Sequence, residues 1–197
     1  ADCVVVGAGA IGLAVARRLA LSDREVIVLE QESLIGTHTS SRSNEVAHVG
    51  LYYRPGGPQA ILCVAGHRTL EPYCAEHGVP YKTIGKLVVA NGEDDITWLE
   101  GIFENAQTCG VRGLEWVGGT AARDLEPQLR CDAAIYSTLT GIVDTHALML
   151  AYQGEAESNG ASIAFQSRLI AARAEDDGLL LDIATEDGTH RLGCTAL

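Results

Sequence analysis

The chain of 197 residues lacks basic charge: 14 lysines and arginines stand against 26 aspartates and glutamates, for a net charge of −12. Nucleic acid is excluded as a partner, and so are anionic membrane surfaces, because both repel an acidic chain. It also lacks a long hydrophobic run. The longest uncharged apolar stretch, Cys3 to Ala16, contains three glycines and falls short of the roughly 18–20 residues that a membrane helix requires. No transmembrane segment is expected. No basic stretch precedes that run and no small-residue cleavage site follows it, so it does not read as a signal peptide. The six cysteines, at 3, 63, 74, 109, 131 and 194, form no C-x-x-C pair. That spacing speaks against a metal site and against disulfides, and it makes the cytoplasm the expected compartment. There is no internal repeat and no low-complexity tract.

What the chain does have is apolar material for a real core, 47% of it, in a length that suits one large domain or two small ones. It opens on "DCVVVGAGAIGLAVARRLALSDREVIVLEQ". Residues 3–6 are a continuous apolar run, as in a strand covered on both faces of a parallel sheet. From Ile11 to Leu21 the pattern is helical and alanine-rich, and "EVIVLE" reads as a second buried strand ending at Glu30. This is a complete β-α-β unit. At its first turn Gly7, Gly9 and Gly12 spell G-x-G-x-x-G. Gly7 permits a tight turn, Gly9 lets backbone approach a pyrophosphate, and Gly12 allows close packing of helix on strand. The helix start at Ala10 and Ile11 supplies free N–H groups and a positive dipole end for phosphates. Glu30, next to Gln31, follows Gly12 by 18 residues, where a carboxylate accepts ribose hydroxyls and disfavours a 2′-phosphate. A glycine motif alone is weak evidence. Strand, turn, helix, strand and acid in that order point to a dinucleotide site, without separating FAD from NAD.

Further on, "PQAILCVAGHRTLEPYCAEHG" reads as a helix with Leu62, Ala65, Leu70 and Tyr73 on its buried side and Gly78 as its stop. "YKTIGKLVVA" is one or two strands broken at Gly85. A helix follows over "GEDDITWLEGIFENAQTCG", closing on Gly110. "GLEWVGG" and "CDAAIYSTLTGIV" are strand-like, with a short helix at "TAARDLEP" between them. "DTHALMLAYQGEAESNG" is a helix capped by Asp144 or Thr145 and ended by Gly160. The tail consists of short strands, with Asp-Gly at 177–178 and 187–188 as hairpin signals, and so forms a meander.

The stretch "TSSRSNEVAHVGLYYRPGG" is too polar for a core strand and lacks the charge alternation of a solvated helix. Together with "YKTIGKLVVA", "DLEPQL" and "TGIVDTHALMLAYQGEAESNGA" it resembles the D-amino-acid-oxidase-like superfamily of FAD-dependent oxidoreductases. Within that superfamily the chain is most similar to the L-2-hydroxyglutarate dehydrogenase/oxidase group, and the likeness covers nearly all of it. The resemblance implies an α/β fold: a Rossmann-like FAD-binding domain from residues 1–75 and 143–197, with a β-meander crossover. Residues 76–142 would be part of an inserted α+β substrate-binding domain. FAD is the implied cofactor, with a small anionic substrate like 2-hydroxyglutarate and an electron acceptor whose identity stays open. Besides the glycine turn, Glu30 and Gln31, the implied cofactor contacts are Thr39, Ser40, Ser41, Arg42, Ser43, Asn44 and His48. Backbone at Arg168 and Leu169 would touch the adenine. Hydroxyl, guanidinium, amide and backbone donors of 40–44 suit phosphates and the polar edge of a flavin.

His48 is the catalytic candidate, because oxidation of a 2-hydroxy acid requires removal of the hydroxyl proton and imidazole titrates near neutral pH. Arg42 suits the pyrophosphate or a substrate carboxylate. Tyr52 and Tyr53 are neighbours, so on a strand only one faces a pocket and the other is core. Tyr53 and Lys86 are the candidate substrate contacts. Asp144 needs no more than a capping role, and His67 and His77 have no visible partner. An amine or amino-acid oxidase of the same superfamily and a nucleotide-binding module without redox activity remain as alternatives. "RLGCTAL" stops while an apolar strand is forming, and Val4–Val6 and Val26–Leu29 need further parallel strands beside them. The chain is therefore expected to be a fragment, truncated at its C-terminus.

Overall fold

A computed structural model describes residues 1–197. In chain order the elements begin with β1 (Cys3–Val6), α1 (Ala10–Ala20), β2 (Val26–Leu29), a 3₁₀ turn (Thr39–Arg42), β3 (Val46–Ala47) and α2 (Pro58–His77). Next come β4 (Tyr81–Thr83), β5 (Lys86–Ala90), α3 (Gly92–Thr108), β6 (Leu114–Gly118), α4 (Gly119–Leu125), β7 (Ala133–Ser137) and β8 (Gly141–Val143). The last are α5 (Thr145–Ser158), β9 (Ser162–Ala164), β10 (Arg168–Glu175), β11 (Gly178–Thr185) and β12 (Gly188–Cys194). None of the helices is long and apolar enough to cross a membrane. Two compact units result: residues 1–44 with 144–197, and residues 45–143.

The first unit is a three-layer α/β structure. Its parallel sheet has the order β1-β2-β9, with Cys3 opposite Val26 and Ile27 opposite Ser162. Because successive strand residues point to opposite faces, Val26 and Val28 meet Leu13, Ala16 and Ala20 of α1 and Met149 and Ala156 of α5. Val4 and Leu29 point the other way and pack with Leu181, Ile183 and Cys194 of the antiparallel meander β10-β11-β12. Both faces are therefore covered, which explains the unbroken apolar run at residues 3–6. The small side chains of Ala16 and Ala20 let α1 lie close to the sheet, and Arg17 pairs with Glu155 to tie α1 to α5 (Nη2 to Oε1 3.1 Å). The meander turns over Asp176-Asp177 and Glu186-Asp187, where Glu175 pairs with Gly178 and Thr185 with Gly188. After β12, Ala196 bridges Cys3 in parallel and its carbonyl accepts the Val4 N–H at 2.9 Å. The meander is thus the crossover from β9 to the far side of β1, as expected. β2 is not an open edge; it lies between β1 and β9.

The second unit holds two antiparallel sheets, β3-β8-β4 and β5-β7-β6. Leu99 and Ala106 of α3 form its core with Ala90, Ile135, Val49, Leu51 and Val111. This unit begins at Glu45, whereas the sequence placed the first crossing at 75. The reason is pairing: Val46 lies opposite Ile142 of β8, and Val49 and Leu51 enter the core with Leu99 and Ile135. The chain returns to the first unit between Val143 and Asp144. The buried face of α2 also differs from the expectation. The helix buries Ala60 and Cys74, while Leu62 is 70% exposed and Ala65 is exposed. Leu70 and Tyr73 are half-buried as expected, and Val64 packs on the core of this unit, so the expectation fails at Leu62 and Ala65.

Leu13 is fully buried between helix and sheet. Leu13→Ala is expected to lower stability by about 2–5 kcal/mol, read as a lower urea midpoint at an unchanged slope. An unchanged midpoint would remove α1 from the core of the first unit.

Candidate nucleotide and substrate sites

The turn from β1 into α1 is fixed by its glycines and by one carboxylate. Gly7 has φ +94°, a conformation open to glycine, and a methyl group on Gly12 would overlap the Gly7 carbonyl oxygen. A methyl on Gly9 would stand 2.9 Å from Ser40 Oγ. Glu30, only 6% exposed, accepts the Ala8 N–H at 2.7 Å and the Glu32 N–H at 2.9 Å. A buried carboxylate is tolerable when hydrogen-bonded in this way. Its two oxygens offer about four lone-pair sites, so acceptor capacity remains for a ligand hydroxyl.

Around this turn lies a cleft of about 390 Å³. It gathers Gly7, Gly9, Glu30, Gln31, Thr39, Ser40 and Leu169 from the expected set, and Arg168 beside them. No acidic side chain stands in the first turn of α1 and none caps it, so the positive end of that helix faces the cleft without a counter-charge of its own. Ser40 Oγ accepts the Ala10 N–H at 3.0 Å and keeps its own proton to donate. The structure brings in residues that sequence reasoning missed: Gly36, Thr37, His38 and Ser167, with Val6 and Leu29 of the strands. Gly36 (φ +67°) donates its N–H to Ala8 O at 2.9 Å, which lays the loop over the glycine turn. The signal was present: the polar run begins at Gly36, not at Thr39. His38 Nε2 lies 2.8 Å from Glu32 Oε1 at the cleft's edge.

Other expected residues are not brought to this cleft. Gly12 packs inside the turn, Ala10 and Ile11 begin α1 outside the lining, and Ile11 is 82% exposed. Ser41 donates to the carbonyls of Thr37 and His38, and Arg42 reaches Thr37 O and Ser41 Oγ, so both brace the loop itself. Ser43 and Asn44 follow, exposed, outside the lining.

In the second unit His48 is half-buried between the core residues Ala47 and Val49. Its carbonyl accepts the Cys63 thiol at 3.4 Å. Burial, and then the positive charge of Lys86, hold the imidazole below its ordinary pKa of 6.5. Lys86 Nζ sits 4.6 Å from the centre of the Tyr52 ring. Neither tyrosine is core: Tyr52 is 51% exposed and Tyr53 36%. They lie in a turn, so strand alternation does not apply, and Leu51 is the residue that goes inside. Tyr52, not Tyr53, meets Lys86. Asp144 caps α5 by accepting the Ala147 N–H at 2.8 Å. His67 and His77 do have partners, the carbonyls of Leu139 and Tyr73.

The sequence pattern of the DAO family, described as "FAD dependent oxidoreductase", matches residues 2–196. The chain belongs to this family of FAD-dependent oxidoreductases. Among curated DAO-family relatives, the mitochondrial L-2-hydroxyglutarate dehydrogenase of Arabidopsis thaliana is 40% identical over 93% of this chain and 42% of its own length. The human mitochondrial enzyme of that name is 36% identical over 82% of this chain and 35% of its own. The Escherichia coli L-2-hydroxyglutarate dehydrogenase is 27% identical over 91% and 43%. This chain thus spans about two fifths of the length of those relatives. In fold it is similar to an L-α-glycerophosphate oxidase from Mycoplasma pneumoniae, described with FAD bound, at a TM-score of 0.89 and 20% identity over 99% of this chain and 52% of that one. A glycine oxidase from Geobacillus kaustophilus matches at 0.84 and 22%, over 99% and 53%.

The Glu30 hydrogen bonds generate a stability test for this DAO-family chain. Glu30→Ala leaves the Ala8 and Glu32 N–H groups without their acceptor and is expected to cost about 1–3 kcal/mol per buried group, visible as a lower thermal midpoint. Glu30→Gln keeps one acceptor oxygen and should lose less. Equal stability of Glu30→Ala and the native protein would show that the carboxylate does not hold the turn.

Proposed function

We propose that the full-length protein oxidises a small 2-hydroxy acid, of the 2-hydroxyglutarate type, with FAD held in the cleft of the first unit. The observation that carries the cofactor reading is the cleft itself. There a positive-φ glycine, a glycine that a methyl would crowd, a helix start with no acidic residue in its first turn and a buried carboxylate converge. Gly7, Gly9 and the α1 N-terminus suit a pyrophosphate, Glu30 a ribose, and Ser40, Thr39 and Gln31 further polar atoms. Backbone at Arg168 and Leu169 suits an adenine edge. In this reading residues 1–44 and 144–197 are the FAD-binding domain and residues 45–143 belong to the substrate-binding domain.

When bound, FAD supplies the acceptor for the two electrons and the hydrogen that leave the substrate's C–H bond. The chain's own part is proton management. His48, kept neutral by burial and by Lys86, is a base that can take the hydroxyl proton as the carbonyl forms. The name shared by the matched relatives, 34–40% identical among the eukaryotic ones, supports the substrate class. Likeness to glycine oxidase and other amine-oxidising structures lies below 25% identity and speaks for the fold alone. We also infer a reducing compartment from six unpaired cysteines. That is the cytoplasm or, as in the relatives so named, the mitochondrion.

The test is a steady-state survey of 2-hydroxy acids and amino acids with the full-length holoenzyme, native and His48→Gln. Turnover of 2-hydroxyglutarate is expected, with kcat about 10²-fold lower in the flavin-loaded variant. The active form of His48 is the unprotonated one, so kcat/KM should rise with pH through a midpoint below the ordinary 6.5. Removing the charge of Lys86 should move that midpoint upward. Near-native turnover by His48→Gln, or preference for amino acids, would overturn this assignment.

A further inference from the structure

The 197 residues contain only two lysines, Lys82 and Lys86, among 26 acidic residues. Three arginines of this acidic chain hold carboxylates: Arg17 on Glu155, and Arg173 and Arg191 on Asp182. Lys86 does not. Half-buried, it has an aromatic face as its neighbour, the Tyr52 ring, and no carboxylate in ion-pair range. A cation held against a ring without a counter-ion keeps its charge available to an incoming anion.

The position of Lys86 is built, not incidental. It opens β5 opposite Ser137, directly after Gly85, whose φ of +72° makes the bend. The N–H groups of Ile84 and Gly85 both donate to the Thr140 carbonyl, at 3.0 and 2.8 Å. The hydroxyls of Ser137 and Thr140, both fully buried, are hydrogen-bonded to each other at 2.8 Å. The same short segment positions His48, because Gly141 pairs with Ala47. Residues 137–141 therefore carry Lys86 on one end and the strand leading to His48 on the other. The Lys86 ammonium and the His48 imidazole, 38 positions apart in sequence, come into one electrostatic neighbourhood. The charge of Lys86 is also felt at the Cys63 thiol, where burial outweighs it and pushes the thiol up.

We propose that Lys86, seated on the Tyr52 ring, is the anion anchor of the substrate site and takes a carboxylate of a 2-hydroxy diacid. This rests on the hydroxy-acid reading above and adds the residue that holds one of the substrate's carboxylates. With one carboxylate on Lys86, that charge of the substrate is compensated and its hydroxyl is left for His48. Tyr52 supplies the platform, and the hydrogen-bonded bend at Ile84 and Gly85 sets where the Lys86 side chain leaves the backbone.

The experiment is calorimetric titration of glutarate, a diacid with no hydroxyl to oxidise, into the full-length protein and its Lys86→Met, Lys86→Arg and Lys82→Met variants. Native protein and Lys82→Met should bind alike. Lys86→Met should bind about 10- to 100-fold more weakly, the scale of one charge-assisted contact, and Lys86→Arg should recover much of the loss. Affinity in the native protein should also fall with added salt, a measurement that needs no variant to fold. Equal affinity of Lys86→Met, salt-independent binding, or no binding of glutarate by the native protein would each overturn the anchor. Turnover separates this from the wider reading. A Lys86→Met enzyme that binds glutarate normally and oxidises 2-hydroxyglutarate sinks the anchor alone. Lys86-dependent glutarate binding without oxidation of any 2-hydroxy acid sinks the hydroxy-acid reading and leaves the anchor.

Discussion

The first unit depends on the buried carboxylate of Glu30 and the backbone groups gathered around it. Ala8, at the end of the glycine turn, and Glu32, beyond β2, both donate to its oxygens. Its own backbone is engaged as well: the Glu30 N–H donates to Ala164 O at 2.9 Å, and its carbonyl accepts the Ser167 N–H at 2.8 Å. One residue thus clasps the β1–α1 turn, the loop after β2 and the connection between β9 and β10. Those are the segments that line the cleft. A carboxylate out of water is costly unless its lone pairs are used, and here the turn and the acid each satisfy the other. The cleft is therefore organised by groups that stay fixed, the property an electrostatic binding site requires.

The second unit reaches its organisation by a different route, through strand pairing rather than a charged hub. The β7–β8 segment pairs with β5 at one end and with β3 and β4 at the other. The buried Ser137–Thr140 pair and the Thr140 carbonyl lock the bend between them. Lys86 and His48 are carried by elements that this bend holds. The two units thus divide the work proposed here, with a backbone-built anion cradle in one and side-chain charges in the other.

Much of this was legible in the sequence because the signals are local. The apolar strands, the spacing of three glycines and the acid at the end of β2 specify the β-α-β unit. The Asp-Gly pairs mark the meander hairpins. What escaped depends on tertiary pairing. Residues 46–47 join β8 across nearly a hundred positions, and no local pattern marks so short a strand. The face of α2 was misread in its first half, where Ala60 is buried and Leu62 and Ala65 are exposed. Thr37 and His38 line the cleft since Gly36 folds the loop back, and the polar run that starts at Gly36 was read only from Thr39 on. The resemblance named the family correctly. Within residues 40–44, Ser40 lines the cleft while Ser41 and Arg42 hydrogen-bond to the carbonyl of Thr37 in the loop.

The account's central claim is that the cleft bound to Glu30 holds FAD in a protein that draws electrons from a 2-hydroxy acid. The most direct measurement is the visible absorbance spectrum of the purified full-length protein before and after anaerobic addition of L-2-hydroxyglutarate. A flavin spectrum that bleaches on addition, and recovers when an electron acceptor is admitted, is the predicted result. A colourless protein, or a flavin band that L-2-hydroxyglutarate leaves unchanged, would contradict the claim.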